Sequence, residues 1–121
     1  MDKPSSEEVE LLHSQVCSAL ADTTRVAILY ELAGSPCYVS CLVEALGQPQ
    51  GTVSRHLKIL RERGLVVTKR SANKVLYQLR DRRVIDALDL LRSILHDQLL
   101  RQGELAERLR QPRRGSISEE V

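Results

Sequence analysis

Three cysteines are the residues of this sequence best suited to soft-ligand or redox chemistry. Cys37 and Cys41 are four positions apart, and Cys17 lies well before them in the chain. If one helix included both Cys37 and Cys41, their sulfurs would lie on the same face, one turn apart. Three thiolates without a nearby histidine suit a thiophilic ion such as arsenite or antimonite better than zinc, which usually takes a fourth ligand.

The same cysteines have two other interpretations. Cys37 and Cys41 could form a redox pair that responds to peroxide or persulfide. Alternatively, the thiols are small apolar side chains without a sensing role, an interpretation that suits Cys17 in particular. The sequence leaves all of these alternatives open, and it does not say whether the three thiols meet within one subunit or across two.

A block of positive charge occupies residues 50–80. It contains eight Lys and Arg residues and one acidic residue, Glu62, which gives a net charge of +7. Residues 1–49 contain two basic and seven acidic residues, a net charge of −5. Because the whole chain has a formal net charge of only +2, this segregation is typical of a protein that binds a polyanion. On charge alone, a solvated basic surface is an equal alternative.

Much of this charge falls on a predicted helix, Gln50–Arg63. Val53, Leu57 and Leu60 form its apolar face, which leaves polar and basic side chains on the opposite side. In a DNA-reading helix, residues near the N-terminus reach base edges and later ones reach phosphates. The predicted base-reading residues are Gln50, Thr52, Ser54 and Arg55, and the predicted phosphate contacts are Lys58, Arg61 and Arg63.

The elements around this helix predict a helix-turn-helix. Asp22 caps a predicted helix over Thr23–Ala33, and a short helix over about Val39–Leu46 ends at Gly47. A tight turn then leads into Gln50. Two short helices joined in this way form the DNA-binding helix-turn-helix unit.

A β-hairpin is predicted directly after the reading helix. Leu65–Lys69 and Val75–Leu79 read as short strands that flank the polar turn 70–74. A hairpin with a basic tip at this position is a wing, which would contact the DNA backbone or the minor groove. The predicted wing contacts are Lys69, Arg70, Asn73 and Lys74.

The first and last helices frame this unit. Ser5 and Glu8 form a capping box for a first helix that runs to Leu20, and Asp81 caps a long last helix with a broad apolar stripe. One side of that stripe can face its own domain and the other a partner subunit. The expected fold is mainly α with a small β-hairpin, a homodimeric winged helix-turn-helix of order α-α-α-α-β-β-α over residues 1–110. Residues 111–121 are predicted to form a disordered tail.

Three stretches of the chain resemble the ArsR/SmtB family of repressors. Ala19–Arg25 resembles the opening of that family's domain, Val43–Leu60 its helix-turn-helix, and Arg63–Val66 with Val75–Leu79 its wing. The resemblance extends over roughly residues 15–80. It implies a dimer joined through the first and last helices, repression of a nearby operon from double-stranded operator DNA, and release when an inducer binds.

The cysteines depart from the family pattern. Metal-sensing members commonly carry Cys-x-Cys beside or inside the third helix, and alignment on Ser54–Leu57 puts Val39–Cys41 at that place. The second thiol is Cys37, four residues before Cys41. We therefore expect a repressor released at a cysteine site formed by Cys17, Cys37 and Cys41, with arsenite or antimonite as the inducer and zinc less favoured.

Other classes of protein fit the sequence less well. It contains no nucleophile elbow, phosphate-binding glycine loop or His/carboxylate constellation, so no enzyme is expected. The N-terminus is acidic and no apolar run is long enough to span a membrane, which predicts a cytoplasmic protein without a membrane partner. A winged-helix module that binds another protein and senses nothing is the main alternative, because a fold does not dictate a function.

Overall fold

The computed structural model describes residues 2–110. The predicted tail, 111–121, lies outside the described residues. The helices and strands follow in the order α1 Ser6–Leu12, a π-helical segment His13–Cys17, α2 Ser18–Leu20, α3 Thr23–Gly34, β1 Cys37–Tyr38, α4 Val39–Leu46, α5 Gln50–Glu62, β2 Val66–Ser71, β3 Lys74–Leu79 and α6 Arg83–Arg110.

The chain divides into two compact units, Met1–Ile85 and Asp86–Val121. The first contains every element up to β3 and the first residues of α6. The described part of the second is the remainder of α6, which continues as helix to Arg110.

The first helix begins where the sequence predicts. The Ser5 hydroxyl oxygen accepts a hydrogen bond from the Glu8 backbone N–H at 3.1 Å, as expected for an N-cap. The helix reaches Leu20, but not as one α-helix, because His13–Cys17 is π-helical. A π-helical turn is rare in proteins and, where it occurs, often lies at a functional site. No residue type in this stretch predicted it.

Helices α4 and α5 form the helix-turn-helix, and together with α3 they supply most of the core. The Asp22 carboxylate caps α3 by accepting the backbone N–H groups of Thr24 and Arg25, and Gly47 ends α4 in the left-handed conformation, with a φ of 64°. The core is entirely aliphatic, as expected for a chain without Trp or Phe. Its largest fully buried members are Ile28 and Leu29 of α3, Leu42 of α4, Val53, Leu57 and Leu60 of α5, Val66 of β2 and Ile85 of α6.

The sheet has three antiparallel strands in the order β1-β3-β2. The predicted hairpin is confirmed, but its turn is shorter than expected: β2 continues through Ser71, β3 begins at Lys74, and only Ala72 and Asn73 connect them. Ala72 has a φ of 55°, which a β-carbon disfavours. Strand β1 was not predicted from the sequence. It places Cys37 opposite Tyr77 of β3.

Helix α6 begins two residues after its predicted cap. The Asp81 carboxylate pairs with the Arg83 guanidinium and accepts the Arg83 backbone N–H at 2.8 Å, and these two contacts lower the pKa of Asp81 to about 2. Large apolar side chains of α6 are 49–77% exposed in the single chain. They are Leu90, Leu91, Ile94, Leu95, Leu99, Leu100, Leu105 and Leu109.

Candidate nucleic-acid interface and thiol pair

Helix α5 has one buried and one exposed face. Val53, His56, Leu57 and Leu60 are buried, which fixes the rotation of the helix about its axis. The polar and basic side chains predicted to meet DNA therefore point outward. Gln50, Ser54, Arg55, Lys58 and Arg61 are exposed, and Thr52 is half-buried.

The wing also presents its predicted contact residues. Lys69, Arg70, Asn73 and Lys74 are all exposed around the two-residue turn. Lys74 has an additional contact that the sequence did not suggest, because its ammonium lies 5.2 Å from the centre of the Tyr38 ring. That distance is within the range of a cation–π interaction.

Arg63 makes contacts that were not predicted from the sequence. Its guanidinium donates hydrogen bonds to the Ser14 carbonyl oxygen and, at 3.0 Å, to the Ser18 hydroxyl oxygen. The guanidinium of Arg63 is thus bound within the chain, and its contact with a phosphate stays a prediction. As the C-cap residue of α5 it folds back onto the N-terminal helical run, whereas Arg61, two residues earlier, stays exposed.

A second arginine joins the same elements. Arg25 of α3 donates from Nε to the Ala19 carbonyl oxygen at 2.7 Å and from Nη2 to the Ser18 carbonyl oxygen at 3.2 Å. Its Nη1 lies 3.1 Å from Nδ1 of His56, which is only 8% exposed. His56 is thus a buried partner of Arg25. This network was not predicted from the sequence, although a histidine amid the core positions of α5 was a sign of it.

Asp22, the N-cap residue of α3, also lies close to the reading helix α5. Its Oδ1 lies 3.8 Å from Nε2 of His56. The pKa of Asp22 is lowered, first by the hydrogen bond from the Arg25 backbone N–H and further by the one from the Thr24 backbone N–H. Because Asp22, Arg25 and His56 come from the start of α3 and the middle of α5, they fix these two helices relative to each other.

Cys37 and Cys41 lie on different elements. Helix α4 begins at Val39, after Cys37, so the condition for two thiols on one helix is not met. Cys37 is instead the first residue of β1, and Cys41 is an exposed residue in the first turn of α4. The half-buried Cys37 thiol donates to the Ser35 carbonyl oxygen at 3.4 Å.

The two thiols are nevertheless electrostatic neighbours. Burial raises the pKa of Cys37, and the negative charges of Cys41 and of Glu31 raise it further. Cys17 ends the π-helical segment and is exposed. Within residues 2–110, no three His, Cys, Asp or Glu side chains are grouped closely enough to hold a metal ion, so one described chain does not bring Cys17 together with the other two.

Known proteins with similar sequences identify the family. Residues 22–68 match the family described as bacterial regulatory protein, arsR family. The chain is 37% identical over 105 residues to the HTH-type transcriptional regulator NmtR of Mycobacterium tuberculosis, a match that covers 84% of this chain and 86% of NmtR. The chain belongs to the ArsR/SmtB family. The HTH-type transcriptional repressor SmtB of the same species is 42% identical over 78 residues, which cover 64% of this chain and 58% of that repressor.

Solved structures of similar fold agree with this membership. NolR from Sinorhizobium fredii is 31% identical, with a TM-score of 0.66 over 78% of this chain and 96% of NolR. A fragment of Mb0332 from Mycobacterium bovis, described as a homodimeric winged helix-turn-helix DNA-binding domain, is 28% identical. Its TM-score is 0.68, and the match covers 82% of this chain and 94% of the fragment.

These findings establish the class of this ArsR-family chain. Its fold is a winged helix-turn-helix, mainly helical with a small antiparallel sheet. The family consists of transcriptional regulators and not of enzymes. Among the described residues, no helix is both long enough and apolar enough to cross a lipid bilayer.

Proposed function

We propose that this protein is a homodimeric repressor that binds double-stranded operator DNA and is released by a thiophilic inducer. The observation that carries the DNA-binding proposal is the division of α5 into a buried aliphatic face and an exposed face with Arg55, Lys58 and Arg61. An exposed basic face on the second helix of a helix-turn-helix fits the major groove.

The contacts divide into base reading and backbone positioning. At the N-terminal end of α5, Arg55 can pair bidentately with guanine and Gln50 with adenine. Lys58 and Arg61, further along, suit phosphates, where they add affinity but little sequence preference. The proposed DNA-contacting residues are Gln50, Thr52, Ser54, Arg55, Lys58 and Arg61 of α5 and Lys69, Arg70, Asn73 and Lys74 of the wing.

A homodimer explains the apolar side chains that one chain leaves in water. Seven leucines and Ile94 of α6 are about half exposed or more, and Val9, Leu11 and Leu12 of the first helix are similarly exposed. Complete burial of a fully exposed side chain of this type contributes about 1.5–3 kcal/mol, and covering the remaining surface of a half-exposed one contributes roughly half of that. We therefore propose dimerisation through the first and last helices, which would place two reading helices on a two-fold symmetric operator.

The proposed inducer site is built on Cys37 and Cys41. Trivalent arsenic in water is present as arsenous acid, and two thiols can replace two of its hydroxyl groups. Two As–S bonds form and two As–O bonds break, and each thiol proton leaves with a hydroxyl as water, so no oxidation or reduction takes place. Because one chain does not group Cys17 with the pair, a third thiolate would come from Cys17 of a second copy of the chain. Antimonite would react in the same way.

Thiol redox sensing is the second candidate function. Oxidation by peroxide proceeds through the thiolate, and the raised pKa of Cys37 keeps that thiol protonated near neutral pH. Bonding to arsenic also proceeds through the thiolate. The raised pKa of Cys37 therefore slows both reactions, and redox sensing stays the second candidate.

Binding to the protein's own promoter fragment tests both parts. The wild-type complex is expected to weaken steeply as salt rises, whereas a winged-helix module that binds only proteins would not bind the fragment. Arsenite and antimonite are expected to release the DNA, and zinc, peroxide and polysulfide serve as comparisons. Each reagent is tested on Cys17→Ser, Cys37→Ser and Cys41→Ser. Retention of every response in the triple variant would exclude a thiol sensor.

A further inference from the structure

Strand β1 joins the thiol pair to the wing. Its two residues are Cys37 and Tyr38, and they pair with Tyr77 and Leu76 of β3. Strand β3 is the central strand of the sheet and the second strand of the wing. The thiol is therefore attached through backbone pairing to the hairpin, rather than to the reading helix that follows α4.

The register places Tyr38 and Lys74 on one face of the sheet. Tyr38 is directly opposite Leu76, and Lys74 lies two residues before Leu76 on the same strand. Residues two apart on a strand share a face, and a diagonal cross-strand pair is within reach of an aromatic ring and a long side chain. The 5.2 Å between the Lys74 ammonium and the Tyr38 ring centre is this diagonal contact.

Tyr38 also stands between the two thiols. It follows Cys37 directly and is the N-cap residue of α4, whose first turn contains Cys41. A ligand that bonds to both sulfurs must pull β1 and the first turn of α4 into one fixed arrangement. Any such adjustment is made at the Tyr38 backbone, because Tyr38 is the last residue of the strand and the residue before the helix.

We infer that Tyr38 is a positioning residue that transmits the state of the Cys37–Cys41 pair to the wing by holding or releasing Lys74. With the thiols free, the Tyr38 ring holds the ammonium beside the wing tip, ready to contact a phosphate. When a ligand bridges the sulfurs, β1 shifts against β3 and Lys74 loses its fixed position. This inference rests on the proposed thiol site but names the wing as the part of the DNA interface that the site controls.

Phenylarsine oxide is the probe, because it bonds to two neighbouring thiols whatever the natural inducer is. Its arsenic forms two As–S bonds, and the two thiol protons leave with its oxygen as water. The experiments use the full-length chain with Cys17→Ser, so that only Cys37 and Cys41 react, and mass spectrometry checks that both sulfurs are bridged. The response is the ratio of the Kd for promoter DNA with and without the reagent.

Substitutions at the two ends of the contact give the central test. Tyr38→Leu is expected to weaken DNA binding by about two- to fivefold without reagent, the effect of an exposed cation–π contact, and to reduce the response ratio by at least half. Lys74→Met is expected to reduce the ratio similarly, and the double variant no further, because the residues act in one path. Tyr38→Phe keeps a ring under the ammonium and is expected to keep the ratio.

Lys69→Met is the matched control, since Lys69 is an exposed wing lysine without a ring contact among residues 2–110. It should weaken DNA binding and leave the response ratio at the wild-type value. Hydrogen exchange of the β3 amides, Val75–Leu79, gives a readout without DNA: bridging of the sulfurs should accelerate it in the wild type.

The possible outcomes separate this inference from the proposed function. If Tyr38→Leu and Lys74→Met keep the full ratio while Cys37→Ser and Cys41→Ser abolish it, the thiol site is real and the path through Tyr38 is wrong. If the sulfurs are bridged but neither β3 exchange nor DNA affinity changes, the inference is also overturned. Failure of the reagent to bridge the sulfurs overturns the thiol site and the inference together.

Discussion

The guanidinium of Arg25 lies 3.1 Å from Nδ1 of the buried His56. Because a guanidinium only donates hydrogen bonds, Nδ1 must accept, and the ring proton is on Nε2, 3.8 Å from the Asp22 carboxylate. The same guanidinium donates to two backbone carbonyl oxygens at the end of the first helical run. Arg25 thus connects the N-terminal helix to the middle of the reading helix.

Substitution of Arg25 is expected to destabilise the protein. Arg25→Ala removes three side-chain hydrogen bonds and leaves the buried His56 without its donor, so the free energy of unfolding should fall by about 1–3 kcal/mol. Urea denaturation measures this change. Arg110→Ala is the control because Arg110 makes one exposed pair with Glu107, and its effect should be below about 1 kcal/mol. Equal effects of the two substitutions would refute the role of Arg25.

Arg61 and Arg63 are expected to behave differently although both end the reading helix. Arg61→Ala should reduce the slope of log DNA affinity against log salt concentration by about one, the value for one phosphate contact. It should leave the free energy of unfolding unchanged. Arg63→Ala should lower the free energy of unfolding by about 1–3 kcal/mol, because it removes the bonds to Ser14 and Ser18. A salt titration and a denaturation curve on each variant give the comparison. The pattern is contradicted if Arg63→Ala changes only the salt slope.

Arg55 is expected to provide sequence preference. Arg55→Ala should weaken binding to the promoter fragment by about 5- to 150-fold, the range for loss of one bidentate base contact, and weaken binding to unrelated DNA much less. Lys58→Ala is the matched control, since a phosphate contact should affect both DNAs alike. A uniform loss for Arg55→Ala would place that side chain on the backbone instead.

The sequence predicted the helices of the reading unit because local chemistry determines their ends. Asp22 defines the start of α3, Gly47 defines the end of α4, and the spacing of aliphatic residues defines the buried face of α5. The structure confirms all three. Strand β1 could not be predicted in this way. Cys37 and Tyr38 form a strand only because β3, distant in sequence, offers them a free edge.

The contacts of Arg63 were not predicted for a related reason. Sequence spacing gives the face of a helix on which a residue lies, but α5 ends at Glu62, and a C-cap residue can turn its side chain elsewhere. The acceptor at Ser14 belongs to a π-helical segment that no periodicity indicated. Long-range pairing of this kind depends on the tertiary fold.

Disruption of the last helix is expected to produce monomers. Leu91 is an exposed leucine of α6 that a symmetric dimer would bury in both subunits. Leu91→Lys would bury a charge at both positions, so the dimer Kd should rise by at least about 100-fold. Analytical ultracentrifugation at several concentrations measures it. Gln102→Lys adds the same charge at an exposed polar position of α6 and should leave the dimer intact. A Leu91→Lys protein that stays dimeric at wild-type concentrations would exclude α6 as the interface at this position.

The pH dependence of Cys37 alkylation reports on its surroundings. Because burial and the negative charges of Cys41 and Glu31 raise the pKa of this thiol, its reaction with iodoacetamide should reach half its maximum rate at a higher pH than free cysteine does. Glu31→Gln and Cys41→Ser should each shift that midpoint downward, since each removes a negative charge, whereas Glu44→Gln should not. Peptide mass spectrometry after timed alkylation identifies the modified cysteine.

The same raised pKa predicts how stability changes with pH. The folded protein favours the protonated thiol, so the contribution of Cys37 to stability is complete below the ordinary thiol pKa and is lost as pH rises through the raised value. The free energy of unfolding should therefore decline in the alkaline range more steeply for the wild type than for Cys37→Ser. Parallel alkaline profiles for the two proteins would mean that the folded state does not favour the protonated Cys37 thiol.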